Sequence, residues 1–130
     1  MAGQDPQEPL DEIAGWVAHT PAAWPAAALE TARNALIDTV ACMDAGASQP
    51  PVRKLYSLVS GWGDGPSTIV GYPKSLSSPW AALINGACAH VLDYDDNFDP
   101  AKAHASAVLV PALLAVGEEE RLSLGALFDA

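Results

Sequence analysis

Residues 78–93 read SPWAALINGACAHVLD, and this stretch decides the fold class. A serine followed by a proline is typical of a helix start, because serine caps free N–H groups and proline fits the first turn. Apolar side chains then recur at helical spacing, at Trp80, Ile84, Ala87 and Val91. The pattern predicts a helix over residues 78–93 with one face in a core. Small residues on the other side, among them Gly86 and Ala89, leave room for a backbone or a ligand.

The same criteria predict helices on both sides of this stretch. The chain is rich in alanine, a strong helix former, and proline and glycine mark its connectors. The predicted helices cover about 11–19, 25–44, a short segment from Pro50, 106–120 and a last segment after Ser123. Residues 67–70 form a short extended connector. The prediction is an all-α fold of about six helices with short irregular connectors, after a disordered tail at residues 1–8.

Composition narrows the class of protein. The 130 residues suffice for one domain, and 50% of them are hydrophobic, which is typical of a globular chain. A net charge of −10 argues against nucleic acid and anionic membrane as partners. The sequence shows no apolar run of membrane-spanning length and no secretory signal pattern, so a cytoplasmic location is expected. Cys42 and Cys88 are predicted to be buried free thiols.

A calcium loop is one interpretation of the residues after this helix. Oxygen-bearing side chains occupy positions 1, 3, 5 and 7 of an EF-hand pattern, at Asp93, Asp95, Asn97 and Asp99. However, Phe98 stands where the turn requires glycine, and His104 stands where the loop requires glutamate. These two departures argue against calcium.

Two further interpretations rest on the same loop. Asp95, Asp96 and Asp99 spell D-D-x-x-D, the pattern with which all-helical terpenoid synthases bind magnesium and diphosphate. Pro100 follows at once and places the motif in a loop, and no second metal-binding motif is present. The other interpretation is metal-free acid–base chemistry, because a carboxylate and an imidazole brought together, here from Asp93 and His104, can transfer a proton.

Two motifs in this region support the acid–base interpretation. Residues 85–96 read NGACAHVLDYDD, and residues 104–115 read HASAVLVPALLA. In order and spacing they resemble the N-G-x-x-x-H-x-L-D-F-D-D and H-P-S-x-x-x-x-P-A-L-L-A motifs of the MmgE/PrpD family. This family includes 2-methylcitrate dehydratases, cis-aconitate decarboxylases and iminodisuccinate epimerases. The resemblance extends over roughly residues 10–130 and departs at Ala105, where the family usually has proline.

The resemblance implies a fold, a site and a partner. Family members are homodimeric lyases or isomerases without cofactor or metal, and a large helical domain and a smaller α/β lid enclose their active site. The family's active-site aspartate falls on Asp93 and its first active-site histidine on His104. Asn97 replaces a threonine of some members and is a candidate substrate-binding residue. His90, at a position the family shares, and Lys102, which could attract a carboxylate, are further candidates.

The expected function is therefore that of a lyase fragment. Residues 9–130 would be part of the N-terminal helical domain, without the lid and without later active-site residues. The expected parent reaction is cofactor-free dehydration of a 2-methylcitrate-like acid, with a small carboxylic acid as partner and exposed apolar faces open to another chain. The alternatives are a non-catalytic helical module and, less favoured, the magnesium-dependent enzyme.

Overall fold

The computed structural model describes residues 8–20 and 23–129. The predicted tail at residues 1–8 lies outside this range, except for Glu8, where the first helix begins. The described residues form six α-helices, one short strand and one 3-10 turn, and this confirms the all-α prediction. The helices are α1 (Glu8–His19), α2 (Ala26–Gly46), α3 (Pro50–Val59), α4 (Ser78–His90), α5 (Ala105–Glu119) and α6 (Leu124–Asp129). The strand β1 is Asp64–Ser67, and the 3-10 turn is Asp99–Ala101.

The core lies where α4 packs between α2 and α5. Met43 of α2, Ile84 and Cys88 of α4 and Ala115 of α5 are buried there. The backbones of α2 and α4 approach so closely that a β-carbon on Gly46 would lie 2.0 Å from the carbonyl oxygen of Cys88. Only glycine fits at this crossing.

The buried face of α4 differs from the predicted stripe. The fully buried positions are Ala81, Ile84, Asn85, Cys88 and Ala89, whereas Trp80, Ala87 and Val91 are only partly buried. The stripe was predicted from apolar side chains at helical spacing, and its members do pack against the core, but close helix packing also buries the small residues Ala81 and Ala89. The helix also ends at His90, before the predicted end at Asp93, whose φ of 57° is incompatible with a right-handed helix.

A buried amide holds the connector between α3 and α4 to the core. The Asn85 side chain donates to the Thr68 carbonyl (2.9 Å) and accepts from the Val70 N–H (2.9 Å). Both backbone groups are thereby satisfied without a partner strand. Extended structure was predicted over residues 67–70, and the strand itself ends at Ser67.

Helix α5 begins one residue before its predicted start. His104 is its N-cap residue, and Ser106 lies inside the helix. Pro111 is buried within α5, well past its first turn. Cys42 and Cys88 are free and buried, as predicted. None of the helices in the described ranges combines the length and the apolar character that a membrane crossing demands.

Candidate active site

The ends of α4 and α5 bring two histidines together. His90 is the last residue of α4, and His104 immediately precedes α5. The loop between them folds back on itself, and the Phe98 N–H donates to the Ala103 carbonyl at 2.8 Å. As a result the two imidazole rings meet edge to face, with ring centroids 4.7 Å apart.

Asp95 lies between the two imidazoles and is the buried member of the cluster. Its side chain is 0% exposed. Its carboxylate oxygens lie 3.1 and 3.0 Å from Nδ1 of His90. Oδ2 also lies 3.2 Å from Nδ1 of His104. This second contact is too poorly aligned for a hydrogen bond, and Nδ1 of His104 has no other partner. One carboxylate therefore contacts both rings. It is hydrogen-bonded to Nδ1 of His90 and lies close to Nδ1 of His104.

Asp93 lies at the open side of the cluster. Its carboxylate is 80% exposed, and Oδ1 lies 3.8 Å from Nε2 of His104. The two nitrogens of His104 thus face different carboxylates, a buried one at Nδ1 and an exposed one at Nε2. The structure brings together Asp93 and His104, the two predicted catalytic residues, and places His90 beside them.

A groove opens next to the two histidines. Its volume is about 520 Å³, and its walls come from α4 and α5. Small side chains on facing turns, at Ala82, Gly86 and Ala107, make the room. At Gly86 the helices are in contact, since a β-carbon there would lie 3.2 Å from the Ala107 carbonyl oxygen. The small residues of α4 therefore serve both close packing and the groove.

The three carboxylates of the D-D-x-x-D pattern have separate partners. Asp95 faces the histidines. Asp96 accepts hydrogen bonds from the N–H of Ser106 (3.1 Å) and from its hydroxyl (2.6 Å). Asp99 pairs with the ammonium group of Lys102 on the surface. The pattern is therefore not a single magnesium site in this fold.

Asn97 and Lys102 lie on the exposed part of the loop. Lys102 has a φ of 51°, and its ammonium group is engaged by Asp99. The structure does not place either side chain in the histidine cluster, and their role in substrate binding stays a prediction.

The cluster also contains donor atoms suitable for a metal. One atom from each of His90, Asp93, Asp95 and His104 can be chosen so that all four lie within 4.8 Å of one another. Imidazole with carboxylate is a donor set that transition metals accept. In the part of the chain that the structure describes, this is the one group of three or more such side chains.

Sequence reasoning missed the position of Asp95. It treated Asp95 as part of metal-binding patterns, where loop carboxylates are interchangeable. The available signal was its spacing, because Asp95 is five residues after a helix-terminal histidine and nine before another. A carboxylate at that sequence separation from two histidines can lie between their rings when the loop folds back on itself.

The fold and site define a class: an all-helical domain with an imidazole–carboxylate cluster at the edge of a groove. The profile of the MmgE/PrpD N-terminal domain matches residues 11–130, and the chain belongs to this family. It is 29% identical over 109 residues to the cis-aconitate decarboxylase-like protein oryM of Aspergillus oryzae. It is 30% identical over 95 residues to a cis-aconitate decarboxylase of Aspergillus terreus.

These matches cover most of the chain but a small part of the relatives. They include 82% and 72% of the chain, and 23% and 19% of the two relatives. The chain thus spans less than a quarter of the length of the curated relatives it matches. No solved structure gives a significant match.

Proposed function

We propose that this chain supplies proton-transfer groups to a lyase that acts on a small polycarboxylic acid. The observation that carries the proposal is the position of His104, between the buried carboxylate of Asp95 and the exposed carboxylate of Asp93. A histidine whose Nδ1 faces a buried carboxylate can expose Nε2 to a substrate and exchange a proton there. The adjoining groove offers room for a small acid.

Dehydration of a 2-methylcitrate-like acid is one candidate reaction. One group removes a proton from the carbon beside a carboxylate, and the electrons of that C–H bond form the new double bond. The C–O bond to the hydroxyl breaks, and a second group protonates the leaving oxygen, so that water departs. Asp93 and His104 are the two groups that we assign to these steps.

Decarboxylation of cis-aconitate is the second candidate, and the names of the two relatives favour it. The C–C bond to one carboxylate breaks, carbon dioxide leaves, and the bonding electrons remain on the substrate. A single proton donor then completes the reaction by protonating carbon. His104 is the donor we assign. Because the chain is a minor part of its relatives' length, we propose that groups outside these 130 residues contribute to substrate binding.

Assays with both acids test the proposal. The chain is incubated with 2-methylcitrate and with cis-aconitate, and loss of water or of carbon dioxide is followed, with and without a chelator. His104→Gln should lower turnover by about 10²–10⁴-fold, whereas Asp99→Asn, in the same loop, should leave it unchanged. Chelation should also leave it unchanged, and loss of turnover on chelation would favour a metal-dependent enzyme.

Binding is measured in parallel by NMR. Either acid should shift the imidazole signals of His90 and His104 and leave those of His19 in place. A folded chain that neither turns over nor binds either acid would favour the alternative of a non-catalytic helical module.

The homodimer of the family remains a proposal for this chain. Large apolar side chains are exposed on α5, among them Val108 and Leu109. Apolar surface of this kind favours association. Light scattering of the purified chain gives its mass in solution, and a monomer at all concentrations would contradict the proposal.

A further inference from the structure

The carboxylate of Asp95, which contacts both histidines, affects which ring nitrogen of each histidine carries the proton. Its side chain is fully buried, and Nδ1 of both histidines lies within 3.2 Å of its oxygens. An ionised carboxylate only accepts hydrogen bonds, so a neutral imidazole facing it is stabilised with its proton on Nδ1. The group that contacts a ring nitrogen determines whether that nitrogen or the other one carries the proton, which is the tautomer of the histidine.

We propose that Asp95 is a positioning residue that fixes the Nδ1–H tautomer of both His90 and His104. The assignment of the tautomers rests only on the contacts of Asp95 with the two histidines. The expected effect on turnover rests in addition on the proposed function. With Nδ1 protonated, each Nε2 carries the lone pair, so it can accept a proton and, once protonated, donate it to a substrate. At His104 this nitrogen faces Asp93 (3.8 Å), where the proposed chemistry occurs.

The proposal also assigns a role to His90. Its imidazole is 54% exposed and lines the groove, while its Nδ1 is held by Asp95. His90 is therefore a second imidazole at the groove, held at Nδ1 and with Nε2 not used in that contact. The shared carboxylate thus orients a further imidazole beside Asp93 and His104, the two groups assigned to the proton transfers.

The matched substitution is Asp95→Asn, which keeps the shape and removes the second acceptor. An amide has one acceptor oxygen and one donor nitrogen, whereas the carboxylate has two acceptor oxygens. In either orientation the amide places its NH₂ group near Nδ1 of His90, because both carboxylate oxygens lie within 3.1 Å of that atom, and in one orientation the NH₂ group also faces Nδ1 of His104. At least one of His90 and His104 should then move its proton to Nε2.

Nitrogen-15 NMR of the imidazoles reads the tautomers directly, at a pH where the rings are neutral. The wild-type chain should show Nδ1–H at both His90 and His104. Asp95→Asn should lose it at one or both, and Asp99→Asn should change neither. His19 is an internal reference, since its Nδ1 contacts the Gly15 carbonyl at 2.8 Å, far from Asp95 in sequence. Nε2–H at either cluster histidine of the wild type would overturn the inference.

A second variant applies if Asp95→Asn does not fold. His90→Gln removes an exposed ring and leaves Asp95 facing His104, so His104 should keep its Nδ1–H form. Loss of that form at His104 would count against Asp95 as its positioning group. Circular dichroism of each variant confirms its helical content.

Turnover separates this inference from the proposed function. In an active chain, Asp95→Asn should reduce turnover by about 10–100-fold or more, as loss of an orienting carboxylate does elsewhere. Unchanged turnover in a variant with altered tautomers would overturn the catalytic consequence. An inactive wild-type chain with Nδ1–H at both rings would contradict the proposed function and leave the tautomer assignment in place.

Discussion

At the scale of single residues, the backbone of Asp93 is the unusual feature of the site. Its φ of 57° places a non-glycine residue in the left-handed region, which asparagine and aspartate tolerate better than other side chains. The turn aims an exposed carboxylate at His104. The sequence motif singled out Asp93 and His104, and their side chains lie 3.8 Å apart, but no pattern in the sequence predicts the backbone conformation that joins them.

Substitutions at Asp93 should separate chemistry from backbone strain. Asp93→Asn should change the free energy of unfolding little, because asparagine tolerates this conformation, yet lower turnover by about 10²–10⁴-fold. Asp93→Ala should lose turnover and also about 1–2 kcal/mol of stability. Urea unfolding and the lyase assay measure both. Equal stability of the two variants would show that the left-handed turn is not retained in solution.

The buried thiol of Cys88 should lower the free energy of unfolding of the chain at alkaline pH. Burial raises its pKa from an ordinary 9.0 to about 11. Because the folded-state pKa is the higher one, its contribution is complete below pH 9 and is lost as pH rises toward 11. The free energy of unfolding should therefore fall by about 2 kcal/mol more in the wild type than in Cys88→Ala over this range. Parallel pH profiles would contradict burial of the thiol.

At the scale of elements, two consecutive aspartates connect the site to helix α5. Asp95 contacts the histidines, and Asp96 accepts the hydrogen bonds of Ser106 at the first turn of the helix that follows His104. The sequence analysis placed both helix ends within a few residues, from serine, proline and apolar spacing. The role of Asp96 was not predictable in this way, because local rules do not detect a capping carboxylate ten residues away from Ser106.

Removal of the Asp96 cap should destabilise α5. Asp96→Ala leaves the Ser106 N–H and its hydroxyl without their partner, and should reduce the free energy of unfolding by about 1–3 kcal/mol. Asp99→Ala is the control, since its ion pair with Lys102 is exposed and should contribute less than about 1 kcal/mol. Thermal and urea unfolding measure both. A loss at Asp96 no larger than that at Asp99 would refute the capping role.

At the scale of the whole molecule, close contact between helix backbones determines how α2, α4 and α5 pack together. The all-α class was predictable because it follows from local composition and spacing. Which helices pack together was not, since it depends on small residues such as Gly46 whose partners lie far away in the sequence. The stripe predicted for α4 was incomplete for the same reason: Ile84 is buried and Trp80, Ala87 and Val91 pack against the core, but the small residues Ala81 and Ala89 are buried as well.

Two glycine substitutions test this packing. Gly46→Ala should destabilise the chain by several kcal/mol or prevent folding, because its β-carbon would overlap the Cys88 carbonyl. Gly15→Ala in α1 is the matched control, because no atom lies within 4 Å of its β-carbon position. It should stabilise the chain by about 0.5–1 kcal/mol. Unfolding curves compare the two, and similar effects at both positions would contradict the observed crossing of α2 and α4.

The buried amide of Asn85 has a consequence for the chemical ageing of the protein. Asn85 is followed by Gly86, and in a flexible chain an Asn-Gly pair deamidates readily, when the glycine nitrogen attacks the side-chain carbonyl. Here the pair lies inside α4, and the amide is held by Thr68 and Val70. The folded chain should therefore resist this reaction and the unfolded chain undergo it. The mass gained at Asn85 in a stored sample would then record how often the molecule has opened.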